Sequence, residues 1–363
     1  MPIEEGSGPG VAARLSSPGR GAASGGPSRV VVWQPAFLGD VVFASPLTAA
    51  VARAWPGARV VFVARPPADE IARRLPGVTD VVAYDKWGAD RGIVAARRLA
   101  GRLSASRPDL WLSLHGSLRS GLFAAASGTE TIGPAGMTGS IFFRRRVPFS
   151  GLPFAERSVA IARAAGLPAE PLLQLVLSAE ERAAGTRRLG AAAAVAVIPG
   201  SAWETKRWPA ARVADLARRL AGRGLTPVLL GSPGERELCA GIAREVGACL
   251  DLCGASVAEA LGVIGACQAA VGGDSGLVHA ARAIGIPTAV LVGPTDPARL
   301  ARAGGTLDAA SPSRERCELV TLGLACSPCS EHGGRRCPLG HHRCLADLPA
   351  ERVEAALLRL LES

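Results

Sequence analysis

The chain has 363 residues, 48% hydrophobic and 20% charged, enough to bury the cores of two domains of ordinary size. Its net charge of +10 is carried by arginine, because Lys86 and Lys206 are the only lysines; Ala and Gly are abundant too, a combination that marks coding bias. With one Tyr and eight Phe the chain lacks base-stacking platforms, so no nucleic-acid partner is expected, whereas an anionic substrate or the negative face of a cytoplasmic membrane leaflet suits a basic surface.

Residues 1–28 are rich in Gly, Ser, Pro and Ala without the apolar core of a signal peptide, which reads as a disordered tail. From Arg29 short apolar runs take turns with amphipathic stretches: RVVVW, a helix from about Asp40 to Trp55, ARVVFVA, a helix around Ile71, DVVAYD, a long helix near Ile93, and DLWLSLH. After a looser stretch near Leu167 to Leu173 the alternation restarts with AVAVIPG, a helix from Ala210, TPVLLGS, a helix from Glu235 and CLDLCG. It continues with a helix from Val257, QAAVGGD, a helix from Ser275, and PTAVLVG. Strand and helix in alternation predict βαβ units, hence an α/β fold of two doubly wound halves with parallel sheets. The expected units are 29–180 and 181–345, followed by a helix in 346–363. No window reaches the roughly 18 apolar residues of a membrane span, so a soluble or peripheral protein is expected.

Ligands of such sheets sit outside the carboxyl ends of the strands, and the distinctive motifs lie there. QPAFLGD follows the first strand; its Asp40 reads either as a helix cap or as a general base facing the cleft. In PGSAWETKRWP, Ser201 and backbone N–H groups can meet an anion. Lys206 there, one of two lysines against the arginine bias, is a compact point charge suited to phosphate; the bland reading is a solvated pair before a Trp-Pro helix start. In GGDSGLVHA, Asp274 and Ser275 open a helix whose first N–H groups are unpaired, with Gly276 behind them and His279 one turn in. That is an anion site, or else an ordinary cap with a core histidine. Glu235 in GSPGERE could accept from a ribose hydroxyl or cap its own helix.

Nine cysteines occur as five singles and a cluster, Cys326, Cys329, Cys337 and Cys344, interleaved with His332, His341 and His342. Their scatter favours a reducing compartment, and the cluster suits a structural zinc, or two disulfides if oxidised. The phosphate loop GxxxxGK[ST] and the HExxH zinc motif are absent, so neither NTP hydrolysis nor metalloprotease chemistry has support.

Taken together, LGD with Asp40, HGSLRSGLF from His115, the KRWP loop, GDSGLVH, GPTDP from Gly293 and the tail CSPC…CPLGHHRCL resemble glycosyltransferase family 9, the lipopolysaccharide heptosyltransferases. The likeness is greatest to the branch adding the second inner-core heptose. The resemblance implies a GT-B fold, two facing Rossmann-like domains with the acceptor on the first and ADP-heptose on the second. It implies a metal-independent inverting transfer with no required cofactor, at the cytoplasmic side of the inner membrane and in peripheral contact with it. Carried over, Asp40 is the base; Ser201, Lys206, Asp274, Ser275, Gly276 and His279 hold the diphosphate end; Glu235 takes the ribose. Arg119 and the run Arg144, Arg145, Arg146 are candidates for the acidic lipopolysaccharide core acceptor, although an arginine run is equally a solvated face. Open alternatives are a relative with another nucleotide sugar or another glycan or protein acceptor, and a non-catalytic nucleotide-sugar-binding or metal-stapled scaffold.

Overall fold

A computed structural model describes residues 26–300 and 316–362; most of the expected tail, 1–25, lies outside the described residues. The first half carries six strands, β1 (Arg29–Trp33), β2 (Arg59–Ala64), β3 (Asp80–Ala83), β4 (Leu110–Ser113), β5 (Glu130–Pro134) and β6 (Arg145–Val147). They form one sheet in the order β3-β2-β1-β4-β5-β6, parallel throughout. The second half repeats the plan with β7 (Ala194–Ile198), β8 (Thr226–Leu229), β9 (Leu250–Asp251), β10 (Ala269–Gly273), β11 (Thr288–Leu291) and β12 (Cys317–Val320). These run in the order β12-β11-β10-β7-β8-β9, again all parallel. The expected pair of doubly wound α/β units is therefore present.

Alternation along the strands explains why both sheet faces are covered. In β1, Val30 and Val32 enter one apolar cluster and Val31 and Trp33 another, because successive side chains point to opposite faces. A parallel sheet flanked by helices buries both faces. Trp33 stacks on Trp111 of β4 at 5.4 Å and donates its ring N–H to Ser120 Oγ at 2.9 Å, so its one polar atom is satisfied in the core.

Two elements are shorter than the periodicity predicts. The helix expected from Asp40 to Trp55 is two helices, Leu38–Val42 and Ser45–Ala54, with Pro46 in the first turn of the second. Proline has no N–H to continue the first helix but fits the start of another. The run CLDLCG keeps only Leu250–Asp251 as strand, since the Cys253 N–H turns back to Asp251 Oδ1 at 3.0 Å.

The halves are joined near Leu173–Leu177, where Leu175 N–H donates to Ala283 O and Val176 N–H to Arg74 O, both at 2.8 Å. The next helix, Ala179–Leu189, begins with a reciprocal cap between Ser178 and Glu181, which satisfies two orphan donors. It packs in the second half against the helix Val257–Ala266. The terminal helix Ala350–Glu362 lies against β11 and β12 of that same half. Among the described residues no helix is long and apolar enough to cross a membrane.

Candidate active site

Each sheet reverses its strand order once, at β1/β4 in the first half and β7/β10 in the second, and loops leaving a reversal diverge to form a crevice. The two crevices face each other across a cavity of about 730 Å³, a volume suited to a small ligand. Gln34 and Asp40 after β1 and Leu114 to Ser117 after β4 line one wall; Ser201, Trp203 and Lys206 after β7 and Asp274, Ser275, Gly276 and His279 after β10 supply the other.

Glycines let the walls touch. A Cβ on Gly276 would stand 2.6 Å from Leu38 Cδ2 and 3.1 Å from Gly39 N, and one on Gly273 would meet the Lys206 carbonyl oxygen at 2.3 Å. Any side chain there would push the first-half loop off the second-half helix, or the Lys206 loop off β10.

On the second-half wall the charges are paired. Asp274 Oδ2 accepts from Lys206 Nζ at 2.6 Å and from Thr295 Oγ1 at 2.9 Å, and Asp274 Oδ1 lies 2.8 Å from His279 Nε2. His279 Nδ1 faces Arg282 Nη1 at 3.2 Å; guanidinium is donor-only, so Nδ1 must accept and Nε2–H donates to Asp274. This neutral tautomer agrees with a His279 pKa pushed down by burial, against the pull of Asp274 and with the help of Arg282 and Lys206. Burial would raise the Asp274 pKa, but the hydrogen bond from His279 and the charge and hydrogen bond of Lys206 outweigh it and hold the carboxyl far below its usual range. The helix Gly276–Ile284 starts on this pair with Ser275 as its cap residue. Ser275 Oγ does not bond back to the helix and is buried with no partner among the described residues. Free helix-start N–H groups, a spare hydroxyl and a held ammonium make this wall an anion receptor.

On the first-half wall Asp40 combines both readings of its motif. Its Oδ2 accepts the Phe37 N–H at 3.1 Å, capping the short helix, while the carboxyl lines the cavity. Burial raises its pKa, and the Phe37 hydrogen bond with the charges of His332, Arg157 and Lys206 only partly offsets that. Because the folded pKa lies above the unfolded one, ionised Asp40 costs stability once pH rises through the folded value. Asp40→Asn is therefore expected to melt higher than the parent at pH 7, with the gap closing toward pH 3, in scans across that range.

The remaining candidates divide. Ser201 lines the cavity, and its loop is shaped by Arg207 Nε donating to Ser201 O at 2.9 Å. Glu235 is outside the lining: its Oε2 accepts from Ser232 N and Oγ at 2.7 and 2.8 Å, and a Cβ on Gly200 would meet its Oε1 at 1.8 Å, so it abuts the start of the Ser201 loop. Arg119 and the run 144–146 are likewise not in the lining. Arg119 donates to the Tyr84 hydroxyl at 3.0 Å, Arg145 pairs with Glu130, and Arg146 donates weakly to Phe143 O and Ile141 O. Cys326, Cys329, Cys337 and Cys344 are free thiols, so the disulfide alternative is not realised. Among the described residues no three His, Cys, Asp or Glu side chains are placed to share a metal ion.

Several cavity residues carry no role in the sequence reading of this site, and His332 stands there only beside the cysteines. Arg157 lies over the Phe154 ring at 4.8 Å and pairs with Glu331 at 3.1 Å, which also binds Arg299. His332 stacks on Phe154, and Phe37 meets Trp203 edge-on across the cavity mouth. The cysteine-bearing strap thus reaches over from the second half; it is anchored to the Lys206 loop by Thr205 Oγ1, which donates to Gly334 O at 3.0 Å, and by His342 Nε2, 2.7 Å from Thr205 O. His115, quoted only as part of a motif, also lines the cavity, 2.8 Å from Ser120 Oγ; burial, with a push from Lys86, lowers its pKa to about 4. Spacing within one segment gives no signal for such partners.

Comparisons with known proteins bear on the family and the fold. The model of the family described as glycosyltransferase family 9 (heptosyltransferase) matches residues 96–338. Lipopolysaccharide heptosyltransferase 1 of Pseudomonas aeruginosa is 30% identical over 74% of this chain and 79% of its own length. Lipopolysaccharide heptosyltransferase 2 of Salmonella typhimurium is 27% identical over 92% of this chain and 98% of its own. Among solved structures, the E. coli ADP-heptose lps heptosyltransferase II superposes with a TM-score of 0.73 at 24% identity, covering 92% of this chain and 98% of that one. That superposition shows the shared GT-B architecture.

Proposed function

The chain belongs to glycosyltransferase family 9, and from that premise we propose that it is an inverting transferase that moves a heptose from ADP-heptose to the inner core of lipopolysaccharide. The observation that carries the reading is one cavity with a lone, desolvated carboxylate on one wall and a held ammonium at a helix start on the other.

In the proposed reaction Asp40 takes the proton of an acceptor hydroxyl as its oxygen attacks the anomeric carbon from the face opposite the diphosphate. The bond from that carbon to the diphosphate oxygen breaks, inverting the centre and releasing ADP. Charge grows on the diphosphate as the sugar becomes oxocarbenium-like. Lys206 and the N–H groups of Ser275 and Gly276 are fixed where that charge appears, so they stabilise it without reorganising. Asp274, shared among Lys206, Thr295 and His279, holds the ammonium in place, so the wall works through directed donors rather than through net positive charge. His279 stays neutral and serves as a spacer. Arg157, paired with Glu331, brings a guanidinium to the lining that an acidic acceptor can meet. The chemistry as proposed calls for no cofactor. The enzyme would work on the cytoplasmic face of the inner membrane, where its glycolipid acceptor is presented.

A transfer assay with ADP-heptose and a truncated core acceptor tests the reading; the absence of a heptosylated product would refute it. Thermal shift separates donors beforehand. ADP at 100 times its Kd should stabilise by about 2.7 kcal/mol, while UDP and GDP at the same concentration should move the midpoint less; an equal shift with all three would remove the adenine assignment.

A further inference from the structure

Seven of the ten large apolar side chains that the described residues leave exposed fall between Trp87 and Ile141. They come from separate segments that the topology brings to the carboxyl end of one sheet. The loops after β3, β4 and β5 all leave the carboxyl end of the same parallel sheet. Trp87, 74% exposed, is in the first; Leu118 and Leu122, one turn apart, are on the helix that follows the second; Met137 and Ile141 are in the third. Cross-links hold these loops together. The Leu118 N–H donates to Thr138 Oγ1 at 3.1 Å, Arg119 reaches the Tyr84 hydroxyl, and a Cβ on Gly121 would lie 2.4 Å from Gly139 O. Ile93 and Val94, 67% and 61% exposed, start the neighbouring helix Ile93–Ala105.

The same segment is strongly basic, with ten Lys or Arg against four Asp or Glu between 85 and 146. Arg91, Arg97, Arg98, Arg119, Arg144 and Arg146 are exposed and make no ion pair with a described carboxylate. The nearby acids are engaged in shaping the Trp87 loop: the Asp85 carboxylate accepts the N–H groups of Trp87, Gly88 and Ala89, and Asp90 accepts that of Asp85. Exposed apolar side chains, a Trp among them, in a segment rich in unneutralised guanidinium groups match a layer of acyl chains beneath anionic headgroups. A protein partner would instead favour a patch core depleted of charge.

We propose that this face docks on an anionic lipid bilayer, with Trp87, Ile93, Val94, Leu118, Leu122 and Ile141 entering the interface. Met137 belongs both to the patch and to the cavity lining, so docking sets the cavity mouth against the surface from which a glycolipid head would rise. The purpose of docking rests on the proposed function; the surface itself does not.

The test is co-sedimentation of the full-length protein with vesicles of phosphatidylcholine alone and with phosphatidylglycerol added. Two paired variants, Trp87→Ser with Ile93→Ser and Arg97→Glu with Arg98→Glu, change only exposed side chains away from the cavity. Each should weaken binding to the anionic vesicles by at least about tenfold, while transfer to a short water-soluble acceptor stays near the parent rate. Parent protein that remains in the supernatant with anionic vesicles, or variants that sediment as the parent does, would overturn the proposal. So would variants that dissolve a dimer without changing vesicle binding, for then the face joins two copies of this chain. Vesicle binding that depends on these residues, in a protein that transfers no sugar, would support the surface and overturn the proposed function.

Discussion

Asp40→Asn is expected to lower kcat by about 10²- to 10⁴-fold, the range that a positioned general base supplies, while leaving ADP affinity at the parent value. The asparagine keeps the size of the side chain and an acceptor for the Phe37 N–H, so the short helix and the wall of the cavity survive; only the proton acceptor is lost. Burial makes the native carboxylate a stronger base than a free one. In the parent, kcat/KM should therefore rise with pH through a step placed above the ordinary carboxylate value of about 3.9, and the variant should lack that step. A variant that turns over at the parent rate would remove Asp40 from the chemistry. A matching loss of ADP binding would show that Asp40 acts on the donor.

Lys206→Met should be costly in two separable ways. Removing a fixed donor from a charge that grows in the transition state costs about 10²- to 10³-fold in kcat. Removing one partner of a buried pair typically costs about 3–5 kcal/mol of stability; here Thr295 and His279 remain on Asp274, which places the expected loss near the lower end. Adding Asp274→Asn to Lys206→Met takes away the stranded charge, so urea unfolding of the double variant should recover most of the stability while kcat stays low. Recovery of both together would mean that Lys206 matters for the fold alone. Arginine should not restore activity: a Cβ on Gly333 would already stand 3.0 Å from Lys206 Cε, leaving no room for a planar fork.

Much of this site could be read in advance because its anion-binding wall is assembled from local rules. A strand ending in Gly272 and Gly273, followed by Ser275 and a helix, must present free N–H groups wherever it occurs in a chain. The break of the helix after Asp40 was also written locally, in Pro46, but periodicity alone ran over it. The pairing of Lys206 with Asp274 was not legible, since 68 residues separate them and each had an adequate separate explanation. Arg157, His332 and the edge-on meeting of Phe37 with Trp203 are further cases. Each partner looks like a surface residue of its own element, and only packing of the second-half strap over the first-half helix Phe154–Ala164 brings them to one cavity.

By itself the amino-acid sequence determined the alternation of strand and helix, the two doubly wound halves and the positions of the loops that carry Asp40, Lys206 and Ser275, because hydrophobic period, glycine and capping chemistry act within a few residues. The tertiary structure alone decided which loops share a cavity, that Asp40 is desolvated enough to gain basicity, and that Asp274 is ionised while His279 is neutral. Protonation and proximity depend on what burial and distant charges do to each group, and those are properties of the folded assembly of segments.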